Sequence, residues 1–488
     1  FRNEVIGKIR YRKLEYLNNL NEKISDPERF GNKEWWKLVN TFLHKKGISQ
    51  DVIPPLQHNG QTYYTDKEKA TVLNNFFIEQ CTIVGNDDPL PEVTVHDLEF
   101  NEIVFTPQEV KSAIKTLKRN KATGPDRVHN VLLVIAADVL AQPLTLFFNR
   151  CLRVGAFPNC WKYAYVTPIY KKGNKDDCTN YRPVSLLSCV GKLLERCVHS
   201  HLYKFFTDNS ILSPAQSGFI RGDSTIFQLL SICNEYIVNY DKNITTQAVY
   251  FDLSKAFDRV WHRGLLLKLE ANGIGGSLLR FISNYLSERT QSVVVKGETS
   301  DARLVPAGVP QGSVLGPLFF LIYINDIVLN IESIIKLFAD DTSISLGLRD
   351  PDIRADILNF DLQKIHTWAE TWKVKFNEEK TELLNFKKGA SPVNDLYFGD
   401  ILLEDTHIHK HLGLIIQSDC RWGEHINAVA KKVNMLIACL RGYKYVFTRK
   451  TLEIMYKSFI LPIFDYADVI WDSCTEGQSM FLENLHLD

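Results

Sequence analysis

Two adjacent aspartates, Asp340 and Asp341, stand between two apolar runs in the stretch SIIKLFADDTSISL (Ser333–Leu346). Successive residues of a β-strand face opposite sides of a sheet, so neighbouring carboxylates converge on one place only where the chain turns. The stretch therefore reads as a hairpin with the pair at its tip. Turn chemistry alone would accept Asp-Thr-Ser there as a solvated bend, so a function for the pair has to be argued from the rest of the chain.

Upstream, Asp252 closes the apolar run TQAVYFDL, with Asp258 six residues on. A charge on an otherwise buried strand is costly unless something compensates it, and a divalent cation would. If the two strands are neighbours, Asp252, Asp340 and Asp341 form an oxygen cluster suited to Mg²⁺. Two such ions roughly 3.5 to 4 Å apart stabilise the attacking and leaving oxygens of a phosphoryl transfer. Asp258 reads as an ordinary helix or salt-bridge residue. Between the acidic stretches lies AGVPQGSVLGPLFFLIYINDI (Ala307–Ile327). Gly308, Pro310, Gln311 and Gly312 read as a loop whose backbone a flat partner can approach, and Ser313 leads into an apolar helix.

At 488 residues, with 45% hydrophobic and 23% charged side chains, the chain is of globular composition and suits roughly three to four domains. Lys plus Arg and Asp plus Glu balance at 57 each, so net charge identifies no partner. Local charge does. Lys111 to Lys121 carries five basic residues and no acid, and Lys431 to Lys457 carries seven against Glu453 alone. Two basic faces of this kind suit a polyanion. The ten cysteines show neither zinc-site nor C-x-x-C spacing, which predicts buried free thiols in a reducing compartment. No apolar run approaches the length of a membrane span and no signal peptide is visible, so no membrane association is expected. The start at Phe1 and a total of three methionines suggest a piece of a longer reading frame. Residues 1 to about 100 read as helical, with Trp35-Trp36 and a proline-rich turn at residues 53–56. A strand pair is expected around Ala164 to Tyr170, strand-helix-strand units over 244–346, and a small β region to about 418. Helices with basic and aromatic residues are expected from Trp422 onward.

YFDLSKAFD, GVPQGSVLGPLFFLIYINDI and FADD resemble, in order and spacing, polymerase motifs A, B and C of the reverse transcriptases of non-LTR retrotransposons, most closely the jockey-like group. The resemblance continues through KATGPD (Lys121–Asp126), TPIYKKG with NYRPVSLL (Thr167–Leu187), QSGFIRGDST (Gln216–Thr225), WKVKFNEEKTELL (Trp372–Leu384) and HLGLII (His411–Ile416). It covers about residues 105 to 420. KATGPDRV departs from the family pattern at Thr123 and Arg127.

This resemblance implies an α/β (α+β) right-hand polymerase with fingers, an antiparallel-sheet palm and a helical thumb. The expected division is an N-terminal extension that binds RNA or links (1–104), fingers with the start of the palm (105–243), palm with motifs A to D (244–390), primer-grip hairpin (391–420) and truncated thumb (421–488). It implies Asp252 and Asp340 as ligands of two Mg²⁺ ions, with Mn²⁺ as a substitute, Asp341 beside them, and the Phe251 and Leu253 carbonyls near the second ion. Lys171 and Arg182 would reach the nucleotide triphosphate, and Gln311 and Gly312 would lie against the nascent base pair. Phe257 would gate the sugar, and Lys380 would be the general acid for pyrophosphate. The implied partners are an RNA template, a DNA primer or target and dNTPs, with an endonuclease elsewhere in the reading frame. Nuclear target-primed synthesis and a cytoplasmic ribonucleoprotein are expected. The rivals are a non-catalytic RNA-binding scaffold on a polymerase fold and a group II intron maturase. His407, His409 and His411 alternate as on one strand face, but no Cys or carboxylate joins them at ligand spacing, so a metal site is not expected there.

Overall fold

A strand buried at six successive positions needs both faces covered, and Thr246–Asp252 takes the middle of a five-stranded sheet with helices on each side. The computed structural model describes residues 2–26, 28–43, 52–377, 380–389 and 392–487. The expected boundary between 390 and 391 lies outside the described residues, as do Glu378 and Glu379 of the WKVKFNEEKTELL motif.

The chain opens with helices α1 (Arg2–Ser25) and α2 (Lys33–Leu43). Helices α3 (Asp66–Gln80) and α4 (Pro107–Lys115) each begin on a reciprocal capping box, Thr65 with Glu68 and Thr106 with Glu109. Strands β1 (Tyr163–Tyr170) and β2 (Tyr181–Leu186) form a hairpin, followed by helices α5 (Cys189–Asp208) and α6 (Thr225–Asp241). Next come β3 (Thr246–Asp252), β4 (Thr290–Val295), α7 (Leu315–Ile324), β5 (Ile334–Phe338) and β6 (Asp341–Gly347). Helix α8 (Pro351–Thr371) leads to β7 (Glu382–Phe386), β8 (Asp405–Thr406) and the hairpin of β9 (Ile408–His411) and β10 (Leu414–Gln417). Helices α9 (Gly423–Arg441) and α10 (Arg449–Phe459) follow.

The central sheet runs β8-β7-β3-β6-β5. Its four long strands pair antiparallel as expected, while the short edge pair β7 and β8 is parallel. The chain reaches that edge only after a small separate hairpin at residues 397–402, a crossover of the kind parallel pairing needs. Alternation along β3 splits the core. Val249 and Phe251 join α7 and α8 on one face, and Ala248 and Tyr250 join α6, β10 and α9 on the other. A second sheet, β2-β1-β4, carries the β1–β2 hairpin towards the end of β3 where Asp252 stands.

The first hundred residues are less helical than expected. Residues 82–105 are almost all irregular, tied by backbone bonds to the 271–275 loop, including Phe100 N–H to Gly273 O at 2.7 Å, and Pro89 and Pro91 oppose a helix. The segment packs in three places: α1 and α2 against α9 and α10, residues 56–77 against the second sheet, and Ile103 and Phe105 in the large core. Asn21 bonds the backbone at both Val446 and Thr448, and the Ser25 and Thr451 hydroxyls meet at 2.8 Å. All ten cysteines are free as expected; six are buried, and Cys160 is exposed against expectation. Among the described residues no helix is long and apolar enough to cross a membrane.

Candidate active site

The β5–β6 hairpin pairs Phe338 with Asp341, leaving Ala339 and Asp340 as its tip. Ala339 sits in the left-handed region at φ 56°, which an alanine adopts only at some cost. Asp341 is the register partner of Asp252 on β3, so the two carboxylates share one face of the sheet, and Asp340 stands in the bend beside them. Like charges so placed repel. Burial, then Asp340 and Asp252, push Asp341 up to about 6. Burial also raises Asp340, opposed by Arg182 and Lys171. Lys380 Nζ lies 3.0 Å from Asp252 Oδ2. Lys171 and Arg182 project from the β1–β2 hairpin and are exposed, and the lysine is lowered by partial loss of hydration and by the Arg182 charge. Phe251 packs within β3 on Phe376 and Phe398, and Leu253 bridges to Phe376.

An all-carboxylate donor set at a strand end fits a hard divalent cation. Among the described residues no three His, Cys, Asp or Glu side chains converge as a ready ligand cage. The Lys380 ammonium lies on an Asp252 oxygen that a metal ion would need.

The segment before α6 holds the hairpin from beneath. Gln216 Oε1 accepts from Ala339 N–H at 2.9 Å and from Gly218 N–H at 2.7 Å, while Ser217 N–H donates to Leu337 O. A Cβ on Gly218 would lie 2.2 Å from Ala339 N. QSGFIRGDST resembles a family motif but carries no expected role, and Gln216 with Gly218 two residues on is the signal that the sequence offers for this brace. It also missed Lys255, in the left-handed region at φ 54° just past Asp252 and electrostatically coupled to Arg182 and Lys380.

In the PQG loop, Gly312 has φ 119° and its missing Cβ makes room for the Ser185 carbonyl, so one close approach is made by the chain's own β2. Gln311 O accepts from Ser185 N–H at 2.8 Å. Buried Glu195 of α5 accepts from Val314 and Leu315 N–H at 2.6 and 3.2 Å, a carboxyl group at the start of α7 that fixes the loop's exit.

Asp258 lies in a short helix, as one of its two expected settings has it, while the salt bridge offered as the other does not form among the described residues. It is 7% exposed, lies in a short 3₁₀ turn and has no ion pair among the described residues. Its carboxylate takes both contacts of Gln311 Nε2, at 2.9 and 2.8 Å. Burial pushes Asp258 up to about 6. Between about pH 4 and that value the folded chain holds a proton the unfolded chain has released, so the stability this group confers falls as pH rises through that window. Asp258→Asn is accordingly expected to be more stable than the parent at pH 7.5, by up to about 3 kcal/mol, with the difference vanishing near pH 4. Melting curves at the two pH values check this, and a variant melting lower than the parent at both would contradict it.

Phe257 is half-buried, stacked on Phe320 at 4.7 Å and edge-on to Phe219 at 6.2 Å. These contacts suit both a ring packed into the core and one offering an edge to a sugar. Phe257→Val is expected to raise ribonucleotide use relative to deoxyribonucleotide use in a folded protein. Equal loss with both nucleotides, with roughly 3 to 5 kcal/mol destabilisation in Phe257→Ala, would leave packing alone.

One of the three histidines meets a carboxylate that comes from outside ligand spacing in the sequence. His409 Nδ1 lies 2.6 Å from Glu382 Oε2 and its ring stacks on Tyr250 at 4.0 Å, while His407 precedes the strand. Burial holds His411 down to about 3. Glu382 lies 25 or more residues away in sequence, which hid the pairing.

Residues 169–421 match the family described as reverse transcriptase (RNA-dependent DNA polymerase). The chain is 30% identical over 378 residues to the "Probable RNA-directed DNA polymerase from transposon BS" of Drosophila melanogaster, covering 75% of this chain and 42% of the relative. It is 30% identical over 376 residues to the RNA-directed DNA polymerase from mobile element jockey of the same organism, covering 74% and 41%. The jockey counterpart of Drosophila funebris is 28% identical over 480 residues, covering 93% and 51%. The chain thus spans about half or less of the length of these relatives. With Asp252 and Asp341 paired across the sheet, Asp340 in the adjoining turn, and the PQG loop and sheet order in place, this chain belongs to the reverse transcriptase family.

Proposed function

We propose that the chain is the RNA-directed DNA polymerase of a non-LTR retrotransposon, extending a primer 3′-hydroxyl with dNTPs on an RNA template. The observation that carries this reading is the register pairing of Asp252 with Asp341, with Asp340 in the turn and Lys171, Arg182 and Lys380 around them. Asp252, Asp340 and Asp341, with the carbonyl oxygens of Phe251 and Leu253, would hold two Mg²⁺ ions, which Mn²⁺ can replace. When bound there, such ions would supply charge stabilisation to the reacting oxygens. Lys171 and Arg182 neutralise and orient the triphosphate. Gln311 and Gly312 bound the nascent pair, with Asp258 fixing the Gln311 amide. Phe257 meets the sugar, and Lys380 gives a proton to pyrophosphate. The chemistry is positioning and charge stabilisation, without a covalent intermediate.

On this reading residues 105–243 act as fingers with the start of the palm, 244–390 as palm, 391–420 as primer grip and 421–488 as thumb. An endonuclease would lie elsewhere in the reading frame, synthesis would be nuclear and the ribonucleoprotein would form in the cytoplasm. Primer extension with dNTPs and Mg²⁺ or Mn²⁺ on an RNA template tests the proposal. Tight binding of template–primer without extension in either metal would favour a scaffold instead.

A further inference from the structure

The helix Ala137–Val154 turns one face inward: Ala137, Phe148, Cys151 and Leu152 join the large core, and Ala141 and Thr145 are buried on the same side. Its outer face is apolar as well. Val139, Pro143, Leu146, Phe147 and Val154 are exposed and recur at helical spacing, with Arg150 the one charge in the stripe. Val139, Leu146 and Val154 are 77%, 63% and 51% exposed. A helix that is apolar on both faces is normally covered on both. We infer that a second copy of this chain covers the outer face, through a two-fold contact of the helix with itself. The inference is independent of the polymerase reading.

The spacing singles out this occupant. Read from either end, the stripe 139, 143, 146, 147, 150, 154 shows the same intervals, with its midpoint between Leu146 and Phe147. Laid antiparallel on its own copy, the helix sets Val139 against Val154, Leu146 against Phe147, and Pro143 against the aliphatic stem of Arg150. A two-fold contact requires such self-complementarity, whereas an unrelated partner imposes none. Trp161 stands edge-on to Phe147 at 5.8 Å and braces the ring at the centre. Antiparallel pairing also brings each helix N-terminus to the other's C-terminus, and Asp138 of one copy towards Arg153 of the other. Lys111 holds Asp138 at 2.6 Å, yet that side chain stays 77% exposed, and Arg153 has no ion pair among the described residues. The area suffices. Leu132 and Ile135, exposed on the helical turn just before, extend the patch to on the order of 600 Å², the upper end for a typical monomer and most of the about 800 Å² that one partner gives a stable interface.

The test is sedimentation equilibrium of the 488-residue chain freed of nucleic acid, so that two copies on one RNA cannot imitate a dimer. The average mass of the parent should climb from the monomer towards twice that value over about 0.5 to 50 µM. Leu146→Glu should weaken association at least about tenfold, since two acids then meet near the axis. Val139→Lys, a second exposed position, should weaken it likewise, and both variants should keep the parent's melting temperature at dilutions where the parent is monomeric. Chains carrying Val139→Cys and Val154→Cys, mixed and oxidised, should cross-link at least about fivefold more than either alone, with the parent giving the background from its exposed Cys160. A parent that stays monomeric throughout, or a dimer that both charged variants leave intact, would overturn the contact. Cross-linking of Val139→Cys alone as efficient as the mixture would overturn the antiparallel register.

Discussion

Asp252→Asn is expected to lower the primer-extension rate at least about a thousandfold, roughly 4 kcal/mol of barrier, while template–primer affinity changes less than about twofold. The substitution keeps the side chain's shape and its capacity to accept from Lys380, now 3.0 Å away, and removes one negative charge from the face shared with Asp341. Affinity should survive because it comes chiefly from basic surfaces through phosphate contacts and counterion release. Asp340→Asn should behave alike, since that residue occupies the bend beside the pair. Extension by both variants within about tenfold of the parent, near 1.4 kcal/mol, would show that these carboxylates do not hold the catalytic ions.

Gly218→Ala carries the second large effect, although residue 218 touches no substrate in the proposed mechanism. Its new methyl would meet backbone atoms, Ala339 N at 2.2 Å and Phe338 C at 2.8 Å, and no side-chain rotation can relieve that contact. The hairpin tip has to shift. A displacement near 1 Å in a catalytic constellation costs about a hundredfold in rate, and overpacking typically costs about 1–3 kcal/mol of stability. Gly222→Ala is the comparison, because a methyl there meets nothing within 4 Å and only its φ of +84° is strained. Extension rate and melting temperature measured together decide the matter. Parental rate and melting in Gly218→Ala would mean that the hairpin is not braced from this side.

The sequence was most informative where chemistry conflicts with local environment. Asp252 at the end of an apolar run, and two acids between apolar runs, announced a strand end and a hairpin tip, and both lie where expected. The register that sets Asp341, not Asp340, opposite Asp252 depends on pairing between strands nearly ninety residues apart and has no local signal. Asp258 illustrates the opposite failure. It read as an ordinary helix or salt-bridge residue, yet its carboxylate is held by Gln311 from another motif, and burial rather than charge pairing governs its titration. Lys380 was legible as a motif residue, while its ion pair with Asp252 was not. Glu382 with His409 escaped for the same reason as the Gln216 brace, since tertiary contacts between sequence-distant polar groups leave no periodicity.

The seating of α1 and α2 on α9 and α10 has a consequence for synthesis. The first helices leave the ribosome with Leu20, Ile24, Trp35 and Val39 lacking the surface that buries them, because Met455, Phe459 and Ile460 are made more than four hundred residues later. At roughly 5–20 residues per second that interval is some tens of seconds, during which an apolar helical pair is open to chaperones or to other nascent chains. Contacts of such sequence separation close late and carry a large loop-closure cost. Docking of α1 and α2 therefore waits until α9 and α10 have emerged, and a chain lacking the first forty residues would leave the apolar face of those later helices, Phe459 included, exposed to water.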